Sequence, residues 1–198
     1  MQIPLSRSLV LIFVLFITCC SVLSAQEIFE REFRIIKSQF PARSLSLIHQ
    51  HVQEIKRLKF YQEIDSSIPV YLAKFKKDKL WYGVQFQENG DLELIQIKIK
   101  RMDIPNDSYS QIDSYLDNMF SKYKIKSIQQ QYHSNNEALD VTFKNAFQNL
   151  LLPTVHYKFI VAGKKNKRHD QYELLFDADG NLRQERIALP QNYDHVLY

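Results

Sequence analysis

Cysteine is nearly missing from this 198-residue chain: there are two, Cys19 and Cys20, side by side in an apolar N-terminal stretch. The chain after them has no thiol, which excludes a disulfide-stapled domain and leaves core burial to hold the fold. Glycine is scarce as well, with four in the whole chain, and no glycine-rich phosphate loop can be built from them. No serine sits in a Gly-x-Ser-x-Gly elbow and there is no His-Glu-x-x-His pair. A triad gathered from distant segments is the remaining enzymatic route. Six prolines complete the short set of breakers.

What is present is a folding composition. Hydrophobic residues make up 45%, aromatic residues 13% and charged residues 24%, enough to bury a sizeable core in one domain or two small ones. Residues 1–25 read as a secretory signal peptide. Arg7 gives the basic start, Leu9 to Phe16 the short apolar run, and Ser24-Ala25 the small residues for cleavage. The alternative, a lipoprotein signal ending at Cys19 or Cys20, fits the preceding residues less well. No transmembrane segment is expected in the mature chain. Its 25 basic and 22 acidic residues give a net +3, too small a surplus to name a partner. A cell-envelope location, periplasmic or secreted, suits a thiol-free exported chain.

The strongest local signal occurs twice. Tyr82 to Leu92 reads YGVQFQENGDL, and ninety residues later Tyr172 to Leu182 reads YELLFDADGNL. Each alternates apolar and polar residues into an Asn-Gly or Asp-Gly turn, the mark of a β-hairpin. Ahead of the first copy, Ile28, Phe29, Phe33, Ile36 and Phe40 predict a helix over 27–40 ending at Pro41. Leu45, Ile48, Val52 and Ile55 predict a second. Strands are expected from Leu58, Val70, Leu80 and Leu92. A third helix is expected after Pro105, through Tyr109, Ile112, Leu116 and Phe120, and a weak strand over 125–132. Residues 137–150 fit a helix through Leu139, Phe143 and Phe147, or a strand. Three strands over 154–162, 169–177 and 182–189 repeat the first series.

This order predicts an α+β fold of two tandem helix-helix-antiparallel-sheet units, 26–105 and 106–190, with the helices packed on one sheet face and a tail at 191–198. A helix ending in Phe40-Pro41, the Tyr82 to Gly90 strand and turn, and the Tyr172 to Gly180 copy resemble the PepSY-like group of small exported bacterial proteins. The layout is similar to the β-lactamase-inhibitor-protein (BLIP-like) fold. The resemblance implies fold and export, with protein binding or inhibition as the suggested role, and supplies no catalytic motif.

Candidate chemistry is sparse. Asp177-Ala178-Asp179-Gly180 lacks the ligand spacing of a calcium loop and reads as a turn. His49 and His51 fall on a helical pattern and diverge, so no metal or other cofactor is expected. Two surfaces remain as possible partner-binding sites. One is aromatic: Tyr61, Tyr71, Trp81 and Tyr82, on strands expected to be neighbours. The other is basic, Lys164, Lys165, Lys167 and Arg168 at a turn, with Lys74, Lys76, Lys77 and Lys79 at its counterpart. Lys74/Lys164 and Lys77/Lys167 coincide at the ninety-residue offset. The bland roles are cross-strand pairing for the aromatics and edge protection for the lysines. The expected function is a non-enzymatic binding module for a protein partner in the cell envelope, with an anionic envelope surface as a second candidate and no nucleic acid. The alternatives are an inhibitor of a peptidase or other envelope enzyme, a small-ligand carrier, and an enzyme with an unrecognised site.

Overall fold

Alternation of apolar and polar residues runs through most of the chain, and the backbone answers with strands. The computed structural model describes residues 31–65, 68–134 and 138–188. Strands β1 (Arg31–Ile35), β2 (Lys56–Asp65), β3 (Ile68–Lys77), β4 (Leu80–Phe86), β5 (Leu92–Ile99), β6 (Lys122–His133), β7 (His156–Lys165), β8 (Arg168–Asp177) and β9 (Leu182–Ile187) form one antiparallel sheet in sequence order. Helix α1 (Ala42–His51) precedes β2, α2 (Asn106–Met119) precedes β6, and α3 (Leu139–Phe147) joins β6 to β7.

This corrects the two tandem helix-helix-sheet units. Strands β5 and β6 pair directly, from Leu94 opposite His133 to Ile99 opposite Ile128, so the two strand series are one continuous nine-stranded sheet. One hydrophobic cluster runs across both halves. The expected first helix is also replaced. Its described part is β1, paired with β2, then a 3-10 turn at Lys37–Gln39. The spacing of Phe33, Ile36 and Phe40 suits a helix, but pairing along β2 supplies ladder hydrogen bonds that local periodicity does not register. Pro41 opens α1 instead of closing a helix, and Pro105 opens α2 in the same way after a second 3-10 turn at Arg101–Asp103. Residues 139–147 are helix, and the weak strand signal around 125–132 is the long β6. The leader, both cysteines, residues 27–30 and the tail lie outside the described residues.

Cross-strand partners share a face, so the register sorts the side chains. Phe60, Ala73, Val84, Ile95 and Tyr132 form one row across β2 to β6. Phe75, Tyr82, Ile97, Gln130, Tyr157 and Phe176 form the next, across β3 to β8. The helices cover this face. Phe40 meets Phe60, Tyr71 and Phe86, Phe147 meets Tyr82, Tyr115 meets Phe176 and Phe120 meets Tyr172. Phe75, Phe86, Phe159 and Phe176 are wholly buried, each stabilising the fold by roughly 1.5–3 kcal/mol.

The two recurring turns are three-residue hairpin loops. Gln87 C=O accepts from Gly90 N–H and Asp177 C=O from Gly180 N–H, and only the glycine is left-handed, at φ 84° and 90°. Each receives the start of a helix. Ser44 of α1 donates its hydroxyl to Gly90 C=O at 3.3 Å, and Ser108 of α2 donates to Ala178 C=O at 2.7 Å. The β3–β4 and β7–β8 connections are tighter: Asp78-Lys79 and Asn166-Lys167 both take positive φ without a glycine, as a two-residue turn between twisted strands requires.

Candidate functional site

Among the described residues, no helix packs on the other face of the sheet. Across β2 to β6 its register sets Tyr61, Leu72, Gln85, Leu94 and His133 in one row, with Lys74, Gly83, Gln96 and Gln131 in the next. A third row joins Lys98, Gln129, Lys158 and Leu175. Gln96, Gln129 and Gln131 are each about 5% exposed, so their amides are buried within this layer of side chains. Gly83 makes room for Gln96, whose amide nitrogen would lie 2.8 Å from a Cβ there. Among the described residues, Gln129 Oε1 and Ser127 Oγ are buried without a hydrogen-bond partner.

Among the described residues, two buried or half-buried acids on this face are ion-paired. Lys74 Nζ lies 2.5 Å from Glu32 Oε1 and 4.5 Å from the Tyr61 ring centre, with both ends of the pair shielded. Glu173 receives Lys158 at 3.1 Å and Arg186 at 2.6 Å. Burial alone would raise the Glu173 carboxyl, but Lys158 and Arg186 outweigh it and hold it below its ordinary value. His133 and His156 meet edge to face at 5.1 Å. Both sit below the ordinary histidine value, His133 through burial and then His156, and His156 through burial with Arg183 adding to it and Asp177 opposing it. Asp177 is a turn residue. Its Oδ1 accepts the backbone N–H of Asp179 and Asn181, and Arg183 caps its Oδ2 at 2.7 Å.

The structure does not gather the eight sequence-derived contact residues into one patch. Tyr61 stays on the helix-free face but is buried beneath Lys74. Trp81 is half-buried between Arg57 and Lys76. Tyr82 belongs to the helix-side core, stacked on Phe75, and burial followed by Asp78 pushes its hydroxyl up to about 12. Tyr71 is also on the helix side, against Phe40. Lys164 lies between Lys122 and His169, whereas Lys165 turns to the helix side to bind Glu185 at 2.7 Å, and Lys167 and Arg168 stand exposed at the turn.

The lysine coincidence at ninety residues is not a structural equivalence. Lys74 lies opposite Gly83, four residues before its turn begins, and Lys164 opposite His169, two residues before. Tyr82 and Tyr172 hold matching places against Ile97 and Ile187, so the second hairpin is longer by two residues in each strand. Sequence reasoning missed Gln129, Gln131 and Lys158 as surface candidates, although their period-two alternation with Ile128, Tyr157 and Phe159 was the available signal. Among the described residues, no three His, Cys, Asp or Glu side chains converge on a metal position, and no helix is long and apolar enough to cross a membrane.

No protein-family model matches the chain, and no curated protein sequence does. Solved structures do. A protein described as periplasmic from Bacteroides eggerthii is similar at a TM-score of 0.53 and 12% identity, over 75% of this chain and 88% of that one. A DUF2874 family protein from Bacteroides ovatus is similar at 0.52 and 13%, over 75% and 87%. Another from Bacteroides uniformis is similar at 0.51 and 13%, over 74% and 88%. At these identities the likeness shows the fold alone: the chain has the architecture found in these Bacteroides proteins.

Proposed function

We propose that this protein is an exported, non-enzymatic binding module that engages a protein partner of the cell envelope through the helix-free face of its sheet. One observation carries the reading. Among the described residues, all three helices stand on one side, leaving Lys98, Lys158 and Trp81, each partly exposed, in a rigid strand lattice on the other. Lys98 and Lys158 keep part of their cationic side chains exposed on this face, so an acidic partner surface suits it best. Export is supported by the leader expected at 1–25 and by the periplasmic description of the Bacteroides eggerthii protein. The matched places of Gly90 and Gly180 against Ser44 and Ser108 favour an internal duplication, and the PepSY-like resemblance rests on those same hairpins.

Affinity capture from an envelope extract tests the reading. The double variant Lys98→Glu/Lys158→Glu is expected to lose the captured protein by about tenfold or more, and the helix-side control Asn118→Ala to keep it. Equal capture by both variants would overturn the assignment of the face. If the captured protein is an enzyme, its activity with and without the module separates inhibition from simple binding.

A further inference from the structure

A cleft of about 340 Å³ opens where the loop after α1 meets the β3–β4 turn. Five cations, Lys56, Arg57, Lys76, Lys77 and Lys79, line it against two carboxylates, Glu54 and Asp78. Lys77 binds one of these, Asp78, at 3.1 Å. Lys56 and Lys76 are direct cross-strand partners, a like-charge pairing that costs stability when nothing lies between the two ammonium groups. The β2 register breaks between Lys56 and Lys59, and Arg57 at the break is left-handed at φ 57°. Glu54, Asp78 and Lys79 also have positive φ, at 57°, 49° and 67°. Asp78 and Lys79 take the positive φ of their two-residue turn, whereas Glu54 and Arg57 hold it outside any such turn and store backbone strain that an ordinary strand would avoid. The break brings Arg57 within 6.0 Å of the Trp81 ring centre, with Lys76 also at 6.0 Å.

We propose that this cleft binds a phosphate or sulfate ester carried on a sugar-sized ring. The oxyanion sits between Lys56, Lys76 and Arg57, and the ring lies against Trp81. A doubly charged oxyanion relieves the Lys56–Lys76 repulsion and accepts the guanidinium fork in two hydrogen bonds. The volume is in the range of small-ligand pockets. The site shares Trp81 with the partner surface proposed above, but its test uses no partner protein, so the two readings fail separately.

Trp81 is the sole tryptophan of the chain and stands beside the lining cations Arg57 and Lys76, so its fluorescence reports on their occupancy. Titration with glucose 6-phosphate or glucose 6-sulfate is expected to give a saturable change that glucose does not, and one that weakens with added salt. Arg57→Gly suits the positive φ and removes the charge, so it should keep or raise the thermal midpoint while weakening binding about tenfold or more. Lys56→Ala/Lys76→Ala should weaken it as well. Vesicles bearing a phosphorylated glycolipid, set against phosphatidylcholine vesicles, distinguish a headgroup from a free sugar ester, and saturable binding of either supports the site. No saturation by about 10 mM ester and no vesicle binding, an equal response to glucose, or unchanged affinity in Arg57→Gly would overturn it.

Discussion

The two glycine hairpins look alike in sequence, yet their substitution costs should differ. Gly180 has φ 90°, and a Cβ built on it would overlap the Ser108 carbonyl oxygen in the first turn of α2, with Gln111 Cβ 3.0 Å away. Alanine there meets a left-handed backbone at roughly 1–2 kcal/mol. It also overpacks against helix backbone at roughly 1–3 kcal/mol and threatens the Ser108 to Ala178 hydrogen bond at about 1 kcal/mol. The total is on the order of 3–6 kcal/mol. Gly90, at φ 84°, carries the same backbone term, but its nearest neighbour is Arg43 Cβ at 3.0 Å, a tight contact without the overlap on backbone that Gly180 meets. Its cost is about 1–2 kcal/mol. Urea unfolding of Gly90→Ala and Gly180→Ala, followed by far-ultraviolet circular dichroism, should separate the midpoints by about 1 M for a slope near 2 kcal/mol/M. Equal midpoints, or a smaller loss for Gly180→Ala, would refute the docking of α2 on the second hairpin.

Lys74→Met is expected to destabilise the fold by about 3–5 kcal/mol, because it breaks the shielded pair with Glu32, and Glu32→Leu/Lys74→Met to recover part of that loss. A double-mutant cycle read by urea midpoints checks this, and a double variant as unstable as Lys74→Met would contradict it. Stability should also fall on mild acidification. His133 and His156 are held below the ordinary value in the fold, so the unfolded chain takes up their protons first. Their contribution is complete above about pH 6.5 and declines as pH drops through that value towards the folded ones. Urea midpoints from about pH 8 to 5 should decrease, less steeply in His133→Gln. A midpoint rising over that window in the unsubstituted protein would contradict the sign.

Local chemistry was legible where the chain decides locally. The alternation around Tyr82 and Tyr172 marked both hairpins, and Ile112, Leu116 and Phe120 marked α2. Turn type was less so. Asp78-Lys79 and Asn166-Lys167 form the tightest turns without the glycine that usually announces them, since strand twist imposes the positive φ. β1 was lost to a helical spacing because its pairing with β2 is tertiary. The union of the two strand series was invisible for the same reason: the β5–β6 ladder joins Gln96 to Gln131 and Lys98 to Gln129, residues whose own preferences do not ask for a central strand. The contact surface was only half legible. Alternation can sort Gln129 from Ile128, but it cannot say that Tyr82 falls under α3 while Trp81, one residue away, falls on the open side.

Site-specific photo-crosslinking in living cells tests the central claim most directly. A benzophenone side chain placed at Lys98 or Lys158 should join one discrete partner, and the same group at Asn118 on α2 should not. Adducts from Asn118 with none from the two sheet positions would contradict the account.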